Sequence, residues 1–240
     1  MIAAHSVVWH DIECGAYTED LPLWRELAAE CDGPVLDIGA GTGRVALDLA
    51  RAGHEVIALD DDAELIAELE RRTGDLPVRS LVADARDFTL DQPVALAIVP
   101  MQTVQLLGGP SRRLEFLACA RRSLGPGGIL AIAIADALQA TVADDDILPT
   151  PDMCEIDGVV YSSRPMSIVD EGPAAAIHRL REVVATDGTR DESTDVIRLS
   201  NVDAATLEAE GAASGLHALP RHLISETDDY VGSTVVMFRA

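Results

Sequence analysis

From Pro34 to Ala135 the chain repeats one alternation, a short continuous apolar run followed by a longer amphipathic stretch. PVLDIG leads into RVALDLARAG, HEVIALD into AELIAELERR, PVRSLVAD into VALAIVP, SRRLEFLACARRSL follows, and GGILAIAIAD closes the series. Strands that are apolar at every position are covered on both faces, and helices between them mean parallel crossovers. The pattern predicts a doubly wound α/β core. Gly53 and Gly74 follow helical stretches as C-terminal caps would, and Pro126-Gly127-Gly128 turns the chain into a strand.

The flanks read differently. LPLWRELAAE at 21–30 has helical spacing and follows an irregular aromatic segment from Trp9 to Tyr17, which together predict an N-terminal helical cap. After the core, 136–156 is acidic and proline-bearing; GVVYSSRPMSIV, AAAIHRLREVVAT and TDVIRLS then predict an antiparallel β insertion, expected over the strand ends where parallel-sheet ligands bind. DAATLEAEGAASG predicts a helix, and LHALPRHLIS with YVGSTVVMFRA predict two strands that return to the main sheet. The expected organisation is a cap and ligand-binding core over 1–135, a substrate lid over 136–200, and a last helix and strands over 201–240.

Composition narrows the chemistry. With 240 residues, 48% of them hydrophobic, the chain can build one sizeable core with an insertion. All 18 basic residues are arginine, so a Schiff-base lysine and a phosphate-loop lysine are excluded. Against 41 acidic residues they leave a net charge of -23, which disfavours a nucleic-acid partner. The same acidity suits solubility, and more sharply the attraction of a cationic amine. Cys14, Cys31, Cys119 and Cys154 form no CxxC pair, so no metal site is expected. No apolar run is long enough to span a membrane, and MIAAHSVVWHD lacks the pattern of a secretory signal. A cytoplasmic monomer or homodimer that meets no membrane is the expectation.

The sharpest local feature is VLDIGAGTGRVALDLA, in which Gly39, Gly41 and Gly43 follow a strand and open a helix. Glycines there let a ligand approach the backbone, and the helix start offers free N–H donors and partial positive charge. A nucleotide-like ligand is implied. A dinucleotide turn of the GxGxxG form needs a third glycine where Arg44 stands, so the motif is instead Asp37-x-Gly39-x-Gly41-x-Gly43, with Ala40 inside the turn. HEVIALD ends its strand on Asp60 about 20 residues after the turn, a spacing that suits a carboxylate on ribose hydroxyls.

In these motifs the chain resembles the class I S-adenosylmethionine-dependent methyltransferases, and is closest to their small-molecule branch. The resemblance implies a Rossmann-like, seven-stranded, mainly parallel sheet and S-adenosylmethionine as cofactor, leaving S-adenosylhomocysteine as product. It implies that Asp60, with Asp61 beside it, holds the ribose. It further implies that Asp84 in LVADARDF accepts from the adenine amino group while Ala85 offers a backbone N–H, and that AIVPMQTVQLL brings Pro100, Met101, Gln102 and Gln105 beside the sulfonium. A helix near Tyr17 closes over the cofactor in the family, which makes Tyr17 the expected contact and leaves Trp24 to the core. Two departures stand out. Asp61 and Asp62 replace the small polar residue usual after Asp60, and Leu106 lies near the position where a histidine is frequent.

Each residue also has a plainer reading: packing glycines, a solvated strand end at Asp60, a helix cap at Asp62, a turn at Asp87, and Arg44 as counter-ion to nearby carboxylates. His178 and His222, in the half expected to roof the acceptor, are the candidate general bases. The activity expected is methyl transfer to an O, N or C nucleophile of a small molecule in specialised metabolism. Two alternatives stand beside it. One is a protein that binds the same cofactor without transferring methyl, in a ring-forming or structural role; the other, a dinucleotide-dependent oxidoreductase, is disfavoured by Arg44 and the absence of lysine.

Overall fold

A computed structural model of the chain describes residues 6–135, 141–142, 149–227 and 230–240. It divides into two units: Tyr17–Asp136 with Val202–Ala240, and Met1–Ala16 with Ala137–Asn201. The stretch 136–140, where the core was expected to give way to the insertion, lies outside the described residues.

The first unit is the doubly wound layer. Helix α2 (Leu21–Ala29) precedes β1 (Val35–Ile38), α3 (Arg44–Arg51), β2 (Val56–Asp60), α4 (Ala63–Thr73) and β3 (Val78–Val82). The chain then crosses to β4 (Val94–Val99), the short α5 (Thr103–Leu106), α6 (Pro110–Ser123) and β5 (Leu124–Ile134), and ends with α7 (Ala204–Ala213), β11 (His217–Ile224) and β12 (Ser233–Arg239). The sheet order is β11-β12-β5-β4-β1-β2-β3; β3, β2, β1, β4 and β5 run parallel, and β12 and β11 are antiparallel. Strand order reverses between β1 and β4, and the carboxyl ends of strands at such a switch point form a crevice that suits a ligand.

Period-two alternation sorts the strand residues onto two faces. Leu36, Ile38, Ile57, Leu59, Ile132 and Phe238 point to the side packed by α6 and α7. Val35, Ala58, Ala131 and Ala133 point to the side packed by α2, α3 and α4, where Trp24, Val45 and Leu49 fill the space. Val35 and Asp37 share a face, so Asp37 occupies what would otherwise be an apolar core position, and it is 1% exposed. On the other side a buried Arg113 reaches from α6 to Glu210 on α7 with two parallel hydrogen bonds of 2.8 and 2.7 Å.

The second unit contains α1 (Ser6–Cys14) and an antiparallel sheet of β6 (Thr141–Val142), β7 (Asp152–Ile156), β8 (Val159–Asp170), β9 (Ala174–Val184) and β10 (Arg190–Ser200), in the order β10-β9-β8-β6 with β7 also on β8. The aromatic segment expected to be irregular is helical from Ser6 to Cys14, because Trp9 and Ile12, one turn apart, bury against Tyr161 and Val183 of this sheet. Trp9 meets Tyr161 edge-on at 5.8 Å. Glu13 accepts from Ser163 Oγ at 2.6 Å and from Arg181 at 2.8 and 2.9 Å, so residues 6–16 group with the antiparallel sheet and not with the parallel one.

Packing at α7 tolerates no added carbon. A Cβ at Gly211 would fall on the fully buried Phe238 ring. Gly211→Ala should therefore destabilise the fold by about 1–3 kcal/mol, the cost of overpacking a filled core, read as a lower urea midpoint at unchanged m-value. An equal or higher midpoint would show that the α7 face has room.

Candidate functional site

The turn from β1 to α3 runs through Gly39, Gly41 and Gly43 at φ of +76°, +55° and +96°, the left-handed region where a side chain is strained. Four of its amides are engaged within the protein. Gly39 and Ala40 both donate to the Leu59 carbonyl at 2.8 and 3.0 Å, Gly41 donates to Asp60 Oδ2 at 2.8 Å, and Gly43 donates to the Ala40 carbonyl at 2.9 Å. The turn lies across the end of β2, whose unpaired acceptors take these donors first. Asp60 Oδ1 accepts from the Asp62 amide at 3.0 Å, and Asp62 caps α4 by accepting from Glu64 and Leu65 at 2.8 and 3.2 Å. Asp60 thus ties the glycine turn to β2, with one amide on each oxygen and further lone pairs open.

Gly39 is needed for a close approach, though by protein. A Cβ there would collide with Thr103, the first residue of α5, whose hydroxyl bonds back to the Pro100 carbonyl at 2.9 Å. The loop after β4 therefore packs on the loop after β1 across the switch point. In it Pro100 is buried and Met101 holds a left-handed φ of +54°. Gln105 turns away: its amide accepts from the Ala135 N–H at 2.8 Å and donates to the Ala135 carbonyl at 3.2 Å, bracing the end of β5 instead of facing the crevice.

Beneath the turn is a polar cluster on the α2 and α3 face. Arg44 donates to both oxygens of Asp20 at 2.6 and 2.7 Å and to the Tyr17 carbonyl at 2.8 Å, and its guanidinium lies 5.2 Å from the Tyr17 ring centre. The plainer reading of Arg44, a counter-ion, is what the geometry shows. Tyr17 is buried, its ring 4.9 Å from that of Tyr230, and its hydroxyl has no hydrogen-bond partner. Burial, reinforced by Asp20 and opposed by Arg44, pushes that hydroxyl up to about 12. Neither oxygen of Asp37 makes a hydrogen bond of ordinary geometry. Burial pushes Asp37 up to about 7; Arg44 pulls it down, Asp20 and Asp60 push it up, and the Ala46 amide offsets this slightly.

Asp61 is exposed beside Asp60, and partial desolvation with the charges of Asp60 and Asp84 raises its carboxyl above the usual range. Asp84 is taken up by Arg86, whose backbone amide and Nε donate to Oδ1 at 2.8 and 2.7 Å while Nη2 closes on Oδ2. That pairing holds Asp84 down at about 2. Ala85 is buried, and the Asp87 amide closes a turn on the Asp84 carbonyl at 2.9 Å. His222, half-buried on β11 and paired with Val235, lies three strands from β4, about 14 Å at the usual strand spacing. His178 sits on β9 of the other unit, between Val196 and Ser167.

The structure thus gathers Tyr17, Asp37, Gly39, Ala40, Gly41, Gly43, Asp60 and Asp61, with Pro100 and Met101 across the switch point and Asp84 with Ala85 beyond β3. Sequence reasoning missed Asp20, Thr103, Arg86 and Tyr230. Arg86 had a signal, its place two residues after Asp84, whereas nothing local marks Thr103 or Tyr230. Among the described residues no group of three or more His, Cys, Asp or Glu is placed to hold a metal ion, and no helix is long and apolar enough to cross a membrane.

The Arg44–Asp20 pair makes a direct prediction, since removing one partner strands the other's charge in the interior. Arg44→Met should cost about 3–5 kcal/mol, and adding Asp20→Asn should recover more than half of it. Additive losses in urea denaturation would show that the two side chains act independently.

Comparison with known proteins bears on this site. Residues 35–128 match the family model of the methyltransferase domain, a span that contains the glycine turn, Asp60, Asp84 and the β4 loop. The chain is 30% identical over 146 residues to a cypemycin N-terminal methyltransferase from Streptomyces sp, covering 60% of this chain and 58% of that protein. It is 25% identical over 148 residues to a putative methyltransferase of Bacillus subtilis, covering 58% of this chain and 60% of the relative. The match therefore spans under two thirds of the length of either relative. Among solved structures, a sugar N-methyltransferase from Streptoalloteichus sp superposes with a TM-score of 0.72 at 20% identity, over 98% of this chain and 92% of that one. An amino pentose methyltransferase from Micromonospora echinaspora, solved with S-adenosylmethionine, superposes with a TM-score of 0.71 at 17% identity, over 98% of each chain. Residues 35–128 match a methyltransferase domain, and the chain shares the fold of these two methyltransferase structures.

Proposed function

We propose that the parallel unit binds S-adenosylmethionine and that the protein transfers its methyl group to a nucleophile of a small molecule. The observation that carries this reading is the set of buried polar atoms left without partners beside the glycine turn, both oxygens of Asp37 and the Tyr17 hydroxyl, within a methyltransferase domain. A buried polar group without a partner is costly unless a ligand supplies one. The residues present suit this cofactor. Asp60 keeps open lone pairs for ribose hydroxyls, Asp37 offers negative charge where an ammonium or sulfonium would be welcome, and Tyr17 offers an O–H donor. Asp84 suits the adenine amino group less well, because Arg86 already takes three of its acceptor positions.

When bound, the sulfonium supplies an electrophilic methyl and a neutral thioether leaving group. The chain has to hold, align and keep dry: Asp60 fixes the turn, the Gly39–Thr103 contact closes the switch point, and the Arg44–Asp20 pair holds Tyr17 in place. An amine is the acceptor we favour. Three of the four proteins named above have an N-terminus, a sugar nitrogen or an amino sugar in their names, and a net charge of -23 attracts cations. An amine arrives protonated and must lose a proton before it attacks. Of the two histidines that the sequence offered for that step, His222 lies away from the strand ends of β1 and β4. The acidity also supports a small acceptor over a nucleic acid.

Calorimetry should detect binding of S-adenosylmethionine and S-adenosylhomocysteine and none of NAD. With a panel of small amines the protein should release S-adenosylhomocysteine and yield a product heavier by one CH2. Binding without release of product, across the panel, would favour the non-transferring alternative, and tight NAD binding would overturn the assignment. Asp60→Ala should weaken cofactor binding by about 1.5–3 kcal/mol. Asp60→Asn, which keeps an oxygen for the Gly41 amide, separates loop support from charge; equal affinity in Asp60→Ala and wild type would place the ribose elsewhere.

A further inference from the structure

Asp37 is a fully buried carboxyl with no hydrogen bond of ordinary geometry to either oxygen, at the root of the turn that the proposed cofactor would occupy. The glycine-turn amides nearest to it are committed elsewhere, and the Ala46 amide of α3 offsets its burial only slightly. The amides of Gly39 and Ala40 are on the Leu59 carbonyl, that of Gly41 is on Asp60, and that of Gly43 is on the Ala40 carbonyl. From α3, Arg44 faces it, but the guanidinium closes on both oxygens of Asp20. The other charged groups that face it are carboxylates: Asp20 from the start of α2 and Asp60 from the end of β2. A carboxylate buried this way, beside two others and with its one cation already neutralised, takes up a proton.

We propose that Asp37 carries a proton in the ligand-free protein and releases it to solvent when a cationic ligand binds, so that capture of the cofactor is coupled to proton release and tightens as pH rises towards neutrality. This rests on the reading of the site as one for S-adenosylmethionine, whose net positive charge favours the ionised carboxyl. The balance is simple. The O–H bond of Asp37 breaks, the proton leaves to buffer, and the negative charge left behind is met by the incoming cation. No covalent change in the ligand is involved. Asp37 thereby avoids two costs in turn, an uncompensated charge before binding and an uncompensated cation after it.

The test is calorimetric titration of S-adenosylmethionine into the full chain at about pH 6.5, in buffers of differing ionisation enthalpy. With Asp37 half-protonated near pH 7, roughly three quarters of a proton should be released per ligand bound. Asp37→Asn should abolish that release. Affinity of the wild type should rise by about 25-fold between about pH 5.5 and pH 7.5, and that of the variant should be flat by comparison. Zero release by the wild type, or equal release by Asp37→Asn, overturns the proposal. Should the variant fail to fold, infrared spectra of the wild type serve instead: a protonated-carboxyl C=O band present without ligand and lost on its addition supports the proposal, and no change in that region on binding overturns it. Absence of any binding would count against the cofactor reading. The band of the ligand-free protein would then still report the protonation of Asp37, and its titration at pH values well below neutrality would overturn that separately.

Discussion

Arg44 lies between two buried carboxylates, and its planar fork closes on one of them. Because both ends of the guanidinium are on Asp20, the segment Tyr17–Asp20 is tied to the first turn of α3, and the Tyr17 ring lies against the same cation. The Tyr17 hydroxyl is then held in the interior without a partner. Had the fork closed on Asp37 instead, the strand carboxylate would be a satisfied ion pair and a structural feature of the core. Its commitment to Asp20 leaves Asp37 chemically unfinished. The unpartnered carboxyl beside the glycine turn follows from that one choice of partner.

The architecture dictates where this incompleteness falls. Alternation along β1 puts Leu36 and Ile38 on the α6 and α7 face and Val35 and Asp37 on the other. On that second face, packed by α2 and α3, Asp37 stands in register between Ala58 of β2 and Ile98 of β4, both fully buried. A carboxylate there cannot reach water past them. The turn's amides are bonded to β2 and to Asp60, so the backbone contributes rigidity more than recognition, and discrimination among ligands passes to side chains.

The fold was legible because its signals are local and repeated. Continuous apolar strands, helix-ending glycines and the acidic N-cap at Asp62 all agree with one another, and agreement across levels is what makes a sequence readable. Asp37, Asp60 and the three glycines were visible for the same reason, whereas Tyr17 was pointed to only by the family resemblance. What stayed hidden depends on distant partners. Nothing near Gln105 says that its amide will brace Ala135, thirty positions on, and nothing near Gly39 says that the residue approaching it is Thr103. The helix Ser6–Cys14 was read as irregular because two apolar residues one turn apart are a weak pattern by themselves. It is the antiparallel sheet, built from residues far along the chain, that gives Trp9 and Ile12 something to bury against.

The absence of lysine shapes the energetics as well as the chemistry. Arg44 on Asp20, Arg113 on Glu210 and Arg181 on Glu13 are each two-pronged, and in each the carboxylate is nearly excluded from solvent. An ammonium is a hydrated point charge that would lose more on burial and could not match both oxygens at once. A chain with a net charge of -23 has carboxylates to spare for such pairs, and its arginines are the scarce partner. Scarcity is what turns an ordinary strand aspartate into a candidate proton store: with every nearby cation claimed, Asp37 has only a proton or a ligand to neutralise it.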